Sequence, residues 1–381
     1  MSTAATREPG SLWQRELPPR PDRPALHGEV TADVVIIGAG FTGLWTAYYL
    51  SVLAPDRRVL VIEAESVGYG ASGRNGGWCT AEMPALLASL VRRYGPMDAM
   101  RFFRTARKTL DEIERVLDAE SVDAGFTRDG SLYVARTRPQ EDRLRAWQDM
   151  RLKLGIRDLT LLGPAEADAY VRVDGVRLAG FTPHCAAVQP AALAAGLAVA
   201  VERRGVTIAE HTRAVRVTPG TVVTPDAVIR APAVLTATEA YTGGLTGHAR
   251  RVLPVISRAI ATAPLPARRG RRSAGAAGSP SPTPLPVRLL PPHGRGPAGR
   301  RRAGRQHRAG SGTSAAGRYG DRTFARLRAA AAEMFRRWPG TRSPTAGPAR
   351  TACTGTASRP SSTTRRPGSA TPAATAARAS R

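Results

Sequence analysis

The residues best suited to chemistry form a glycine-rich turn between an apolar segment and a helical one. The segment Ala32-Asp-Val-Val-Ile-Ile-Gly-Ala-Gly-Phe-Thr-Gly-Leu44 carries the pattern G-x-G-x-x-G at Gly38, Gly40 and Gly43. Gly38 allows a tight turn, Gly40 lets the backbone approach a pyrophosphate, and Gly43 lets the helix pack closely on the strand. The N–H groups that begin the helix then face the anion. The turn therefore predicts a dinucleotide-binding site.

A carboxylate follows this turn at the expected distance. Val59–Ile62 forms a second apolar strand, and Glu63 comes 20 residues after Gly43. A carboxylate at that position can accept hydrogen bonds from the hydroxyls of a ribose. The order strand, turn, helix, strand and acid therefore predicts a βαβ nucleotide site. The alternative is a glycine turn in an α/β domain that binds no nucleotide.

A second glycine-rich segment needs a partner that holds its backbone. Residues 68–77 contain five glycines in ten positions, which is too flexible for a regular element on its own. A flat ligand lying against the backbone would supply that restraint. Arg74 and Asn75 could place hydrogen-bond donors beside such a ligand, and the alternative is a solvated arginine in a loop. The residues alone nominate no catalytic acid or base.

The positive charge of the chain belongs to its C-terminal part. The 381 residues carry a net charge of +26, but residues 266–381 hold 24 of the 56 basic residues and only two of the 30 acidic ones. These residues contain no Ile and no Lys, and such a composition cannot bury enough apolar surface to fold. We expect a largely disordered basic tail with one helix near 319–335. The tail also keeps open a nucleic-acid-binding function through its arginines, because they would attract phosphate.

Cysteine usage and the N-terminal sequence indicate the compartment. Cys79, Cys185 and Cys353 are too few and too scattered for a disulfide framework or a metal cluster, which favours a reducing environment and no metal. The first 30 residues contain no apolar signal-peptide core, and the longest apolar run, 191–201, is too short to span a bilayer. We therefore expect a cytoplasmic protein that does not engage a membrane.

The periodicity of apolar residues predicts an α/β fold. Helices are expected at about 42–50, 81–120, 139–154 and 191–203, and strands at about 32–37, 59–62, 131–135, 206–208 and 214–217. Residues 233–241 are expected to form a strand that delivers a loop to the same edge of the sheet. Residues 206–217 are expected to complete the first sheet. The predicted division is an irregular lead-in (1–30), a nucleotide-binding domain (31–79 and 185–245), an interleaved, incomplete α+β substrate domain (80–184 and 246–265) and the tail (266–381).

These residues resemble the FAD-dependent oxidoreductases of the D-amino-acid oxidase type, in particular the γ-glutamylputrescine oxidoreductase-like branch. The resemblance covers roughly residues 10–265. The segments that carry it are Gly38-Ala-Gly-Phe-Thr-Gly43, Glu63, Gly70-Ala-Ser-Gly-Arg-Asn-Gly-Gly77, Gln189-Pro190 and Ala237-Thr-Glu-Ala-Tyr241. It implies a Rossmann-like domain that binds FAD, with the pyrophosphate on the glycine turn and the adenosine ribose on Glu63. The loop from Ser72 to Gly77 would then pass beside the flavin ring.

The same resemblance implies further contacts and a reaction. Val215 would contact the adenine through its backbone, and Ala237 and Thr238 would flank the cofactor. The full implied FAD set is Gly38, Gly40, Phe41, Thr42, Gly43, Glu63, Ala64, Ser72, Arg74, Asn75, Gly76, Gly77, Val215, Ala237 and Thr238. The implied reaction oxidises the C–N bond of a small-molecule amine or amino acid by hydride transfer to flavin N5, with oxygen or an electron carrier as acceptor.

The tail departs from this resemblance, and a shift of reading frame would explain the departure. The segment Phe335-Arg-Arg-Trp-Pro-Gly can be back-translated with GC-rich codons. The reading frame that starts at the third base of each codon then permits the family-like sequence F-P-A-L-A-G. In the same frame, residues 368–380 permit L-G-Y-A-G-G-Y-G-G-E-G-V, which resembles the closing flavin motif of the family. We interpret residues 336–381 and about 267–308 as frame-shifted translation. A chain lacking that motif could be an inactive remnant, and a genuine basic tail or linker is the other alternative.

Overall fold

The computed structural model describes residues 11–20, 23–82, 84–249, 251–261, 287–289, 322–336 and 350–360, of which 84–86, 253–261, 287–289, 322–324 and 350–360 are described by their backbone only. The helices are α1 Leu12–Arg15, α2 Phe41–Leu53, α3 Pro84–Ala119, α4 Arg138–Lys153, α5 Pro164–Tyr170, α6 Pro190–Arg203 and α7 Arg322–Met334. The strands are β1 Gly28–Thr31, β2 Val34–Ile37, β3 Val59–Ile62, β4 Trp78–Thr80, β5 Ser131–Ala135, β6 Thr160–Leu162, β7 Leu178–Thr182, β8 Cys185–Ala187, β9 Thr207–Ala209, β10 Arg216–Thr218, β11 Thr221–Val223, β12 Ala227–Arg230, β13 Ala233–Thr236, β14 Val252–Ala261, β15 Val287–Leu289 and β16 Arg350–Pro360.

A four-stranded parallel sheet, in the order β13-β2-β3-β9, positions the glycine turn. Both faces of this sheet are covered, so β3 is buried at all four positions. Ile36 and Val61 face α2 and α6, whereas Val35 and Leu60 face a second sheet of order β1-β12-β11-β10. The alternation of strand side chains explains how neighbouring residues enter two different cores. The result is a helix layer, a parallel sheet and a mainly antiparallel sheet stacked in that order.

A separate sheet of order β15-β5-β7-β6 forms the other part of the fold. Strand β5 is buried at all five positions because both faces of this sheet are covered. Tyr133 packs with Trp147 of α4 on one face, and Leu132 packs with Val171 on the other. Helix α7 from the basic tail reaches this second face, where Met334 joins the same cluster. The tail helix is therefore part of the packed structure.

Several predicted elements agree with the structure, and others need correction. The parallel sheet, the helices α2, α4 and α6, and a helix near 319–335 are where the sequence placed them, but helical structure over 81–120 breaks at Gly95, whose φ is 81°. Strand β9 joins the first sheet as expected, whereas β10 belongs to the second sheet. The prediction for 206–217 is wrong on that point because strand periodicity does not identify a strand's neighbours.

The lead-in and the tail contain more regular structure than expected. The predicted irregular segment 1–30 includes α1 and β1, and the tail includes two strands, β15 and β16, that the sequence did not predict. These strands pair with β5 and β14 through backbone hydrogen bonds, which composition does not reveal. Most of the residues predicted to be disordered lie outside the described part. Within it, no helix is long and apolar enough to cross a membrane. The domain boundaries stay a prediction.

Truncation of two residues of α6 should have different effects on stability, because only one of them lies in the core between α2, α6 and the parallel sheet. Leu197 is fully buried in this core, whereas Val199 on the same helix is 48% exposed. We expect Leu197→Ala to lower the free energy of unfolding by about 2–5 kcal/mol, because it leaves a cavity. Val199→Ala, the matched control, should change it by about 0.5 kcal/mol or less. Urea denaturation measures both, and equal losses would contradict this assignment of the core.

Candidate functional site

The glycine turn is a point where three backbone segments meet. Gly38 has φ 110°, and its N–H donates to the Ile62 carbonyl at 2.7 Å. A Cβ atom on Gly38 would lie 2.6 Å from the Ala237 carbonyl oxygen, and one on Gly43 would lie 2.0 Å from the Gly38 carbonyl oxygen. Any side chain at Gly38 or Gly43 would therefore push α2 or the segment after β13 away from the turn.

The turn opens into a cleft of about 310 Å³ at the carboxyl ends of the parallel strands. Ligands of open α/β sheets bind in this position. The cleft brings together nine of the fifteen residues expected to bind the cofactor: Gly38, Gly40, Phe41, Thr42, Glu63, Ala64, Ser72, Ala237 and Thr238. The other six lie outside its lining: Gly43, Arg74, Asn75, Gly76, Gly77 and Val215.

Glu63 is fixed at the cleft by backbone donors. Its Oε2 accepts from the Ala39 N–H at 2.8 Å, and its Oε1 accepts from the Glu65 N–H at 3.1 Å. Burial raises the pKa of Glu63, and the two backbone bonds oppose that effect. Each carboxylate oxygen keeps a second lone pair, so the group can still accept from the hydroxyls of a ligand.

Ser72 joins the second glycine-rich segment to the first helix. Its Oγ accepts from the Phe41 N–H at 2.8 Å, at the N-terminus of α2. A Cβ atom on Gly40 would lie 2.9 Å from this Oγ. The serine hydroxyl can donate while it accepts, so it lies ready to donate to an anion beside the helix N-terminus.

Arg74 and Asn75 form hydrogen bonds within the glycine-rich loop, residues 68–77, and do not line the cleft. Arg74 is only 6% exposed, and it donates from Nε to the Tyr69 carbonyl at 2.6 Å while its guanidinium lies 4.6 Å from the centre of the Tyr69 ring. The alternative of a solvated arginine is therefore wrong. The Asn75 side chain donates to the Ser72 carbonyl at 3.0 Å and accepts from the Gly77 N–H at 2.8 Å. Both side chains act on the loop's own backbone.

The far end of the loop borders a second cavity. Gly77 has φ 72°, and a Cβ atom there would lie 2.6 Å from the Val188 carbonyl oxygen. Gly76 and Asn75 line the cavity, whose volume is about 500 Å³, together with aromatic and aliphatic side chains of α2, α3 and β4. Cys79 also lines it, and burial raises the pKa of this thiol to about 11. Cys79 is therefore a neutral thiol at physiological pH.

Val215 lies beside the cleft with its backbone already bonded. Its N–H donates to the Val223 carbonyl at 2.8 Å, and its carbonyl accepts from the Thr246 N–H at 3.1 Å. The neighbouring Arg213 and Ala214 line the cleft instead. The adenine contact that the resemblance implied for Val215 stays a prediction.

Sequence reasoning missed several side chains around the cleft. Tyr69 and Tyr241 line it with ring centres 6.5 Å apart, and Glu65 pairs with Arg213 at 2.6 Å on its rim. Glu239 lines it with φ 46°, an uncommon backbone conformation for a residue other than glycine. Tyr241 belonged to a segment already singled out in the sequence, but nothing in the sequence marks the ion pair.

A buried ionic cluster lies outside the cleft and was also missed. Arg151 is fully buried and donates to Glu82 at 2.5 Å, and it also pairs with Asp158. His184 Nε2 lies 2.9 Å from Asp158, and Arg107 pairs with the same carboxylate. Burial alone would raise the pKa of Asp158. Hydrogen bonds from His184 and Arg151 outweigh this effect and hold the pKa well below its usual range. The cluster links α3, α4 and the segments beside β4 and β8.

The comparison with known families decides the family of the chain. Residues 33–371 match the pattern of the family described as FAD dependent oxidoreductase, or DAO. The chain belongs to this family. The match extends beyond residue 265, where the sequence resemblance had been placed. FAD is therefore the cofactor of the family, as expected, and the chain is similar to oxidoreductases.

Individual relatives agree with that membership. The chain is 29% identical to the γ-glutamylputrescine oxidoreductase of Escherichia coli strain K12 over 243 residues, which cover 62% of this chain and 56% of the relative. It is 30% identical over 260 residues to the probable oxidoreductase OrdL of Rhizobium meliloti strain 1021, covering 65% of this chain and 59% of the relative. The chain therefore spans somewhat more than half the length of these curated relatives.

Solved structures agree with the fold. The glycine oxidase of Geobacillus kaustophilus superposes with a TM-score of 0.60 at 20% identity, covering 88% of this chain and 84% of that one. The L-proline dehydrogenase of P. horikoshii gives a TM-score of 0.54 at 18% identity, covering 69% and 65%. The α/β class and the Rossmann-like domain with an interleaved sheet are thus confirmed.

The residues around the cleft fit the cofactor of the family. The helix N-terminus at Phe41 and the hydroxyl of Ser72 suit the pyrophosphate. Glu63 suits the ribose, since its carboxylate lies on the cleft with lone pairs to spare. Tyr69 and Tyr241 add aromatic surface where the loop faces the cleft. The cleft thus offers groups suited to bind the anionic part, the sugar and the flat ring of this cofactor.

Gly40 predicts the clearest loss of cofactor. Gly40→Val should abolish FAD retention, because the side chain would meet Ser72 and occupy space that the pyrophosphate needs. Most of the fold should remain, since the position faces the cleft. Titration of the purified parent and variant with FAD measures binding, and far-UV circular dichroism controls for folding. A variant that binds added FAD with the parent's measurable Kd would show that the pyrophosphate lies elsewhere.

Substitution of Glu63 should change both the affinity for FAD and the pH dependence of the free energy of unfolding. Glu63→Gln should weaken FAD binding by about 1.5–3 kcal/mol, since it removes a charge-assisted hydrogen bond. The raised pKa of Glu63 means that the folded, cofactor-free chain holds this proton more tightly than the unfolded chain does. The contribution of the Glu63 carboxyl to stability is therefore present below its pKa in the unfolded state. That contribution is lost as the pH rises through its pKa in the folded state.

A glutamine cannot ionise, so the variant escapes this loss. The free energy of unfolding of Glu63→Gln, minus that of the parent, should increase as the pH rises from about 4 to 8. Denaturation of both cofactor-free proteins across this range measures the difference, and other carboxylates cancel in the subtraction. A difference that is flat or decreases with pH is inconsistent with a raised pKa at Glu63.

Proposed function

We propose that this chain is a FAD-dependent oxidoreductase that oxidises the C–N bond of an amine or amino acid. The observation that carries the proposal is the cleft, where the glycine turn, Glu63 and Ser72 lie together on the edge of a parallel sheet. Family membership supplies the cofactor. The substrate class is our extension from relatives whose names include γ-glutamylputrescine oxidoreductase and human sarcosine dehydrogenase.

The protein's part in this reaction is to bind, orient and exclude water. FAD, when bound, accepts a hydride and passes the electrons on, here proposed to go to oxygen or to a carrier. The glycine turn and Ser72 would hold the pyrophosphate, and Glu63 would hold the ribose. The loop held by Arg74 and Asn75 would form a wall beside the ring. An amine substrate reacts with its nitrogen neutral, so a dry site favours the reactive form.

The tail bears on whether the chain is active. We retain the proposal that residues 336–381 and about 267–308 are frame-shifted, since the composition changes at these points while the intervening α7 packs on the β5 sheet. Such a chain would lack the closing motif of the family and bind flavin weakly. The second candidate function is non-specific binding of nucleic acid, which the 24 arginines after residue 265 favour. A cytoplasmic location stays a prediction.

The test compares the chain as it stands with one in which the frame is restored. We expect the unaltered chain to be poorly soluble or nearly colourless, and the restored chain to be yellow. The restored chain should lose its flavin absorbance anaerobically when γ-glutamylputrescine, sarcosine or another primary or secondary amine is added. Alcohols and hydroxy acids of similar size are the controls.

The outcomes separate the hypotheses. A restored chain that binds no flavin, or is reduced by hydroxy acids and not by amines, would overturn the proposed function. Full flavin occupancy and amine oxidation by the unaltered chain would refute the frame shift. Retention of the unaltered chain on DNA, lost steeply as salt rises, would instead support the nucleic-acid function.

A further inference from the structure

The N-terminal segment makes a series of contacts with the walls of the cleft. We call residues 11–20 and 23–26 the strap. The strap begins with a capping box, in which Ser11 and Gln14 each bond the other's backbone N–H. This short helix, α1, lies against the glycine-rich loop 68–77, which is about 60 positions away in the sequence.

Three strap side chains donate to three carbonyls of the glycine-rich segment. Ser11 Oγ donates to the Gly73 carbonyl at 2.7 Å, Trp13 Nε1 donates to the Asn75 carbonyl at 2.9 Å, and Gln14 Nε2 donates to the Gly68 carbonyl at 3.1 Å. These carbonyls span nearly the whole loop.

The strap itself is anchored at both of its ends. Gln189 Nε2 donates to the Trp13 carbonyl at 2.9 Å, which ties α1 to the start of α6. Arg23 pairs with the buried Glu210 at 3.3 Å, and the Leu26 N–H donates to Thr212 Oγ1 at 3.1 Å. Thr212 lines the cleft at its other wall. The strap therefore contacts the loop at one end and the wall beside Glu63 at the other.

We propose that Trp13 and Gln14 are positioning residues, which pre-organise the glycine-rich loop for the cofactor. A loop with five glycines in ten residues loses much backbone entropy when it becomes ordered. Trp13 and Gln14 order the loop during folding, before the cofactor binds. The entropy cost of ordering the loop therefore does not weaken cofactor binding. The consequence for FAD affinity rests on the proposed function, whereas the ordering of the loop does not.

The experiment measures the loop in the cofactor-free chain. Hydrogen exchange is followed in peptides covering 68–77, where the N–H groups of Gly68, Tyr69, Arg74 and Gly77 donate hydrogen bonds. Trp13→Phe removes one donor, whereas Gln14→Met removes one donor to the loop and also the oxygen that accepts from the Ser11 N–H; both keep most of the bulk. We expect Trp13→Phe to speed exchange of the loop by about three- to tenfold, the range for one lost hydrogen bond, and to raise the Kd for FAD by a similar factor. Gln14→Met should have effects at least as large, because it removes two hydrogen bonds.

Matched controls make the same changes elsewhere. Trp147→Phe removes an indole N–H that has no hydrogen-bond partner within the described structure. Gln148→Met removes a donor whose bond, to the Leu159 carbonyl at 3.2 Å, lies away from the cleft. Exchange in residues 227–230 of β12, which lies in a different core cluster from Trp147, reports whether the fold is intact. The controls should leave exchange of the loop unchanged.

Unchanged exchange in both strap variants, or equal acceleration in the controls, would overturn the proposal. Faster exchange of the loop with unaltered affinity for FAD would also overturn it, because ordering would then not serve binding. Faster loop exchange in a chain that shows no FAD binding even before substitution would support the ordering by the strap and count against the proposed function.

Discussion

The whole arrangement depends on the close approach of backbones at the first glycine turn. Gly43 lies almost against the Gly38 carbonyl, and Gly38 lies against the segment that follows β13. Only hydrogen atoms fit in these gaps, so α2 can begin directly above the ends of the parallel strands. That position directs the N-terminus of the helix into the cleft and brings Glu63 and Ala237 beside it. The sheet's two buried faces maintain this geometry, because neither layer can shift without opening a core.

Local patterns predicted the parts of this site that local geometry determines. The turn, the strand before it and Glu63 could be predicted because their spacing has a direct physical meaning. The burial of Arg74 could not, because it depends on a carbonyl and a ring of Tyr69 that accept the guanidinium. The position of Val215 could not either. Its backbone partners lie on β11 and after the helical turn 239–244, and a single strand pattern does not indicate them.

The strap and the tail show a second limit of sequence patterns. Helix α1 is only four residues long, too short for any periodicity, and the one available signal was the capping pair of Ser11 and Gln14. The sequence predicted a helix near 319–335 within an otherwise disordered tail, but it did not indicate that α7 docks on the β5 sheet through Met334, whose carbonyl accepts from the Asp174 N–H. Composition and local periodicity do not identify the surface on which a helix packs.

The ionic cluster around Arg151 has a consequence for how this sequence can evolve. Arg151 and Glu82 are fully buried, and Arg107 and Arg151 share the carboxylates of Glu82 and Asp158, so the loss of either carboxylate alone would leave two guanidinium groups with one counter-charge. Replacement of the whole group by apolar side chains of similar volume would carry no such penalty. Neutral drift at these positions is therefore restricted to simultaneous changes, and α3, α4 and the neighbouring strands should covary among homologues as one unit.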